Sequence, residues 1–502
     1  MGPGALVCLL ALATYAAALA TIQTKGSKLF TSDGAQFYIK GTCRRVTLLI
    51  TLPLTLSPGV AYQLTNDDPL AQGDQCKLDA SLMKTLGANS IRVYHVDPTA
   101  NHDACMSAFS DAGIYAWIDL DTFSTYILAN NPEWNQTMYS SYASVIDAFH
   151  NYDNTAGFFV GNEVLTTGAS SVAAPYVKAA ATDMKAYRNS KGYRNIPIGY
   201  SAADIADLRP NLQNYLACGS NSSEALDFFA LNAYEWCGQS TYDTSGYQFL
   251  QQNASNYNIP IYFSETGCQT PKPRTFDDQA AILGSDMDGT WSGAIIYEWI
   301  EETNDYGLIS YGASAGPTAT GNGVVAGYTR TGTPTPISPD FENLSTHWAT
   351  LTPTGVSMSA YSPSATAPSC PAFTSGAWLV SGDVPLPTIG AVSHSVGSTS
   401  AASSATSTGG SATSQSSQTG SQSSSGSSGS SGTTAASSSG AAAAASSKSA
   451  AMRPSQAIGS DWYLGFLLLV IPARCVSFLL LVTYYAVDML TSGSASLGLA
   501  LL

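Results

Sequence analysis

Gly157-Phe-Phe-Val-Gly-Asn-Glu-Val164 is an apolar run that ends on an amide and an acid. A short, bulky, uncharged run of this kind reads as a strand buried on both faces, with polar groups only at its C-terminal end. Seven further strand-like segments surround it: Gln36–Lys40 continuing at Val60–Gln63, Ile91–Val96, Tyr115–Leu120, Ile196–Tyr200, Asp227–Ala233, Ile259–Ser264 and Gly293–Trp299. Between most of them lies helical spacing, as at Leu78, Leu82, Met83 and Leu86, or over Ala174–Tyr187. Strands alternating with helices predict an α/β chain, a (β/α)8 TIM barrel over residues 21–330. In that fold the chemistry sits where strands end.

Two glutamates occupy such ends. Glu163 closes the fourth segment, and Glu265 in Phe263-Ser-Glu-Thr-Gly-Cys268 closes the seventh. Either alone fits a buried ion pair equally well; two on opposed barrel strands favour catalysis. Retaining glycoside hydrolysis uses such a pair, one carboxyl as acid and one carboxylate as nucleophile, about 5 Å apart. Burial and mutual repulsion are expected to hold the acid's pKa up while the nucleophile stays ionised. Asn162 is placed to bond a sugar 2-hydroxyl. Tyr94, Tyr234, Trp236, Tyr297 and Trp299 offer faces for sugar rings or, equally, barrel-mouth packing. The five histidines are scattered, so no metal site or cofactor is expected.

The chain of 502 residues is thin in charge, with 11% Asp, Glu, Lys or Arg overall and a net charge of −15. An acidic chain poor in Lys and Arg is a poor phosphate binder, which argues against nucleic acid as a partner. Residues 1–20 close on Ala18-Leu-Ala20 and read as a signal peptide. Sequons at Asn135, Asn221, Asn253 and Asn343 fit the secretory route and are N-glycosylation candidates. Residues 331–383 read as an extension packed on the barrel and carrying Cys370. Residues 384–450 are rich in Ser, Thr, Gly and Ala, and predict a disordered linker, O-glycosylated or bare. Residues 451–502 read as a glycosylphosphatidylinositol (GPI) attachment signal whose apolar tail is removed, with attachment between Ser446 and Ala451. The alternative, a transmembrane helix, is interrupted by Arg474 and Asp488.

Val60-Ala-Tyr-Gln63, Ile91-Arg-Val-Tyr94, His102-Asp103, Gly113-Ile-Tyr115, Pro175-Tyr-Val-Lys-Ala-Ala180, Gly199-Tyr-Ser-Ala-Ala-Asp204, Asn232-Ala-Tyr-Glu-Trp-Cys237 and Tyr306-Gly-Leu308 join the opening stretch in one ordered set. With these motifs, residues 21–375 resemble the fungal GPI-anchored 1,3-β-glucanosyltransferases, glycoside hydrolase family 72. The resemblance implies a monomeric cell-surface enzyme on the outer face of the plasma membrane or in the wall. It would cleave an internal β-1,3-glucan bond and pass the new end to the non-reducing end of another chain. It implies Glu163 as acid/base, Glu265 as nucleophile, and glucan contacts at Gln63, Tyr94, Asp119, Asp121, Asn162, Asp204, Arg209, Tyr234 and Tyr297. Residue spacing leaves a β-1,3-glucan hydrolase open, because both activities share one covalent intermediate; an inactive wall-binding protein is the reading from another class. The chain departs from the family pattern at Thr266, where a tyrosine is usual, and at Tyr126-Ile-Leu-Ala-Asn130, where Ser-Ile-Asn-Arg is usual.

A third departure is Thr42–Gly59, 18 residues set into the middle of the first strand. A central parallel strand tolerates this badly, and the stretch reads as a retained short intron with donor-like, branch-like and acceptor-like codons. Residues 475–492, also 18 long, read the same way. The alternative is a true surface insertion. Setting aside Cys8, Cys43 and Cys475 leaves Cys76, Cys105, Cys218, Cys237, Cys268 and Cys370, six of the nine cysteines. Six allow fifteen connectivities. The resemblance implies Cys76–Cys105, Cys237–Cys268 and Cys218–Cys370.

Overall fold

A computed structural model describes residues 19–39, 59–63, 68–122, 124–321, 323–382 and 384–390. The leader up to residue 18, the inserted stretch before Gly59, the linker from residue 391 and the whole of 451–502, with 475–492, lie outside the described residues.

Eight parallel strands close into a barrel: β1 (Gly59–Ala61), β2 (Ser90–Val93), β3 (Tyr115–Asp119), β4 (Thr155–Asn162), β5 (Ile198–Ala203), β6 (Phe228–Asn232), β7 (Ile261–Thr266) and β8 (Trp291–Ile296), with β8 pairing back onto β1. Helices follow the strands, α1 (Gly73–Leu86), α2 (Asp103–Ala112), α3 (Gln136–Phe149), α4 (Ala174–Ser190), α5 (Arg209–Ala217), α6 (Tyr247–Ala254) and α7 (Asp278–Ile282), and α8 (Asp340–Thr350) packs on α1. Local signals set their ends. Gly87 and Gly113 take positive φ just after α1 and α2, and the Asn135 side chain caps α3 through the Met138 amide.

The barrel interior is packed with rings. Trp117, Phe159, Phe228 and Tyr262 meet at centroid distances of 5.1 to 5.4 Å. Position 157 in β4 requires glycine because a Cβ there would stand 2.6 Å from the Trp117 ring. A three-stranded antiparallel sheet (Ile22–Lys25, Lys28–Thr31, Gln36–Phe37) adds Ile22, Leu29 and Phe37 to this cluster. The space left for a ligand is therefore at the other end, where the strands finish.

The first strand departs from its expected form. Gln36–Phe37 belongs to the N-terminal sheet, and only Ile39 reaches the barrel, through a single parallel bridge to Gly293. β1 resumes with Gly59 opposite Ile295 and Val60 opposite Ile296.

All three disulfides implied by the resemblance are present: Cys76–Cys105, Cys218–Cys370 and Cys237–Cys268. The first ties α1 to α2. The second holds the segment after α8 to the end of α5, and the third joins the loops after β6 and β7. Among the sequons, Asn221 and Asn253 are exposed and Asn135 is half-buried in its cap. The Asn343 amide nitrogen already donates to the Arg274 carbonyl at 2.8 Å, which leaves little room for a glycan.

Candidate active site

A buried arginine organises the barrel mouth. Ser90-Ile-Arg-Val alternates along β2, so Ile91 and Val93 face the helices while Arg92 points inward. Arg92 is fully buried. It grips Asp119 with two bonds, at 3.1 and 2.8 Å, and donates to Asn162 at 3.0 Å, Ser201 at 3.1 Å and Glu265 at 3.2 Å. Its plane lies 4.3 Å from the Tyr94 ring centroid and 4.4 Å from that of Phe159. A guanidinium has five donors and no acceptor, so every oxygen around it is fixed as an acceptor.

Glu265 reaches this centre through a fault in its strand. Simple alternation from Tyr262, which is inward, would send Glu265 outward with Phe263. β7 shifts register against both neighbours between Phe263 and Thr266, and the bulge turns Ser264 and Glu265 inward together. Glu265 Oε1 accepts from the Tyr94 hydroxyl at 2.9 Å, and Oε2 from the Tyr234 hydroxyl at 2.7 Å. Thr266 then faces out of the barrel, sharing a 3.1 Å bond with the Tyr247 hydroxyl and donating to Asp278. The missing ring therefore lies behind the strand of Glu265, away from the cleft.

β4 carries a similar irregularity between Phe159 and Asn162, and Glu163 follows it at φ +50°, a left-handed conformation that an L-residue adopts at a cost. Glu163 is exposed to the mouth. Asn232 links the two strands: its amide donates to Glu163 at 2.8 Å and to Asn162 at 3.0 Å, while its carbonyl oxygen accepts from Ser201 and Ser264.

The charge balance differs from the expectation that the nucleophile simply stays ionised. Burial pushes the Glu265 carboxyl up to about 7, the Arg92 charge pulls it down, and Glu163 adds a further upward push. The cause is placement: Glu265 is 7% exposed, whereas the acid candidate stands at the open rim.

The remaining expected residues divide. Gln63 and Tyr297 join at 2.8 Å beside the pair, and Tyr234, Tyr297 and Tyr306 stack edge to face. Asp119 is 1% exposed with both oxygens on Arg92, so it holds the arginine and does not face the cleft. Asp121, next along, is also buried, and burial beside Asp119 pushes its carboxyl well above the usual range. Asp204 and Arg209 form their own ion pair past β5, with no bond to either glutamate. Trp299 is fully buried and so gives no face to a sugar; Trp236 is half-buried with its edge against Tyr247. Arg92, Ser201, Asn232, Ser264, Glu298 and Asn304 were not among the expected site residues. Arg92 had a visible sign, a charge between apolar neighbours on a barrel strand; the others have none.

A parallel barrel with two glutamates at the ends of its fourth and seventh strands, linked through Asn162 and Asn232, has the two-carboxylate architecture of carbohydrate-active enzymes. The glucanosyltransferase family matches over residues 11–321, and the chain belongs to that family. It is 40% identical over 366 residues to the fission yeast 1,3-beta-glucanosyltransferase gas2, covering 71% of this chain and 73% of that protein. It is 40% identical over 352 residues to Candida albicans 1,3-beta-glucanosyltransferase PGA5, covering 67% of this chain and 51% of that protein. Among solved structures, a glutamate-to-glutamine mutant of Saccharomyces cerevisiae Gas2p in complex with laminaritetraose and laminaripentaose superposes with a TM-score of 0.62 at 35% identity, covering 73% of this chain and 74% of that one.

Proposed function

We propose that the chain is a cell-surface retaining 1,3-β-glucanosyltransferase that elongates β-1,3-glucan. The observation that carries this reading is the bonded set Glu163–Asn232–Asn162–Arg92–Glu265 spanning the barrel mouth. Protonated Glu163 gives its proton to the oxygen of an internal glucosidic bond as Glu265 attacks the anomeric carbon. The C–O bond breaks, the leaving chain departs as an alcohol, and a glycosyl ester forms on Glu265. Glu163, now a carboxylate, takes the proton from a hydroxyl at the non-reducing end of a second glucan, whose oxygen displaces Glu265. Hydrolysis differs only in having water as acceptor. Incubation with reduced laminari-oligosaccharides tests the reading: products longer than the substrate support it, and shorter products alone identify a hydrolase. The leader, the spacer and the apolar tail support secretion and GPI attachment at the outer face of the plasma membrane.

We also propose that Thr42–Gly59 is absent from the working enzyme. With Ile39 opposite Gly293 and Val60 opposite Ile296, the slot opposite Ile295 falls to Gly59 now and to Gly41 once those residues are removed. That slot favours glycine, since a Cβ would stand 3.1 to 3.2 Å from Ile295, Ile39 and Ser90. Excision thus leaves a continuous strand in register. Sequencing of reverse-transcribed message across Lys40–Tyr62 is expected to show the 18 codons missing; a message that keeps them overturns the proposal.

A further inference from the structure

Glu298 is the second residue past the end of β8, is fully buried, and has no part in the mechanism above. Its two oxygens accept from two different side-chain amides: Oε2 from Gln63 at 2.9 Å and Oε1 from Asn304 at 2.6 Å. The Asn304 orientation is fixed at its other end too, where the oxygen accepts from the Tyr306 amide at 3.2 Å. The same two nitrogens reach the Tyr297 hydroxyl, at 2.8 Å from Gln63 and 3.4 Å from Asn304.

In the ionised form of Glu298, whose carboxyl burial and the Glu302 charge push up to about 8, hydrogen-bond polarity settles what Tyr297 can do. An amide nitrogen donates only, and a phenol has two lone pairs and one proton. With Gln63 and Asn304 turned so that their nitrogens meet Glu298, the Tyr297 oxygen accepts from both. Its proton has no acceptor among the described residues, and the half-buried ring stands beside Tyr234, which itself bonds the nucleophile. We propose that Glu298 is a positioning residue: by orienting Gln63 and Asn304 it makes Tyr297 a committed donor, aimed at an oxygen of the bound glucan that accepts a hydrogen bond. This rests on the reading of the cleft as a glucan site. A cleft that places fixed donors around the reacting ring selects for one presentation of the sugar.

The test is a double-mutant cycle in the full-length protein, read as donor oligosaccharide consumed, so that transfer and hydrolysis both register. Glu298→Gln keeps the shape but sets one amide nitrogen against another, forcing Gln63 or Asn304 to turn. It is expected to lower kcat/KM by about tenfold, the scale of one misdirected hydrogen bond. Tyr297→Phe is expected to lose a similar factor, and the double variant no more than Tyr297→Phe alone, to within about twofold. Thermal unfolding of all four proteins accompanies the cycle, because a purely structural Glu298 lowers Tm equally in either background while its activity loss multiplies. Multiplying losses, or an unchanged kcat/KM for Glu298→Gln, overturn the proposal. Product lengths from the unaltered protein report separately on the glucan-transfer reading.

Discussion

Glu163 and Glu265 end two strands of one barrel, yet the protein treats them in opposite ways. Glu265 is 7% exposed, held by three donors (Arg92, Tyr94 and Tyr234), and its loop is tied to the next by Cys237–Cys268. Glu163 is exposed, meets one side-chain donor, Asn232, and sits on a left-handed backbone turn. In the proposed mechanism the nucleophile must stand still at one carbon, and rigid support provides that. The proposed acid, later the base, must meet a leaving chain and then an arriving one, and an open rim provides that.

Substituting each glutamate by glutamine gives the largest expected effects and separates the two roles. Glu265→Gln removes the attacking carboxylate and should abolish transfer with every donor. Glu163→Gln should reduce turnover of natural oligosaccharide by about 10²–10⁴-fold, yet still release the leaving group from an activated donor such as a glycosyl fluoride, which needs no acid. Equal loss on the fluoride from both variants would erase the distinction between the two sites.

Arg92 comes next. Its charge pulls the Glu265 pKa down, so Arg92→Met raises that pKa further. Because the attacking form is the carboxylate, the acidic limb of kcat/KM against pH should move to higher pH, with a loss of at least about tenfold at fixed acidic pH. Arg92→Lys, which keeps the charge, should leave the limb nearer its place. A limb that stays put in Arg92→Met would mean that Glu265 is not the group it reports.

Thr266→Val should do least. The hydroxyl binds Tyr247 and Asp278 outside the barrel wall, so its loss is expected to cost about 1–2 kcal/mol of stability in denaturant titration. Activity should stay within about twofold of the parent, since the neighbouring Glu265 side chain points the other way. A larger activity loss would show that the support of the nucleophile extends through the wall.

The eight-strand alternation, the two glutamates and Tyr234 beside them were legible in the sequence because each rests on a local pattern: an apolar run, a polar end, an aromatic just beyond. The bulges were not. Period two along Tyr262-Phe-Ser-Glu265 sends the nucleophile to the wrong face, and only pairing with β6 and β8 shows the inserted residue. Asp119 was a glucan contact by resemblance alone; the sequence does not show that Arg92, 27 residues earlier, takes both of its oxygens. Trp299 likewise reads as a ring at a strand end, but it is fully buried with its ring beside Phe341 of α8. Glu298 and Asn304 had no signature, since a buried carboxyl among amides is recognised only by its partners.

The staple between Cys218 and Cys370 also sets a load path. A pull on the chain at residue 390 would load in turn the Gly390–Trp134 hydrogen bond, the bond from the Leu379 amide to Ser171 Oγ, and the Thr374–Trp378 pairing with the Trp378 ring packed on Tyr215. Tension would then pass through the covalent link into the end of α5, on the helical layer. The stretch between α8 and Cys370 is thereby spared any pull applied to the chain beyond it.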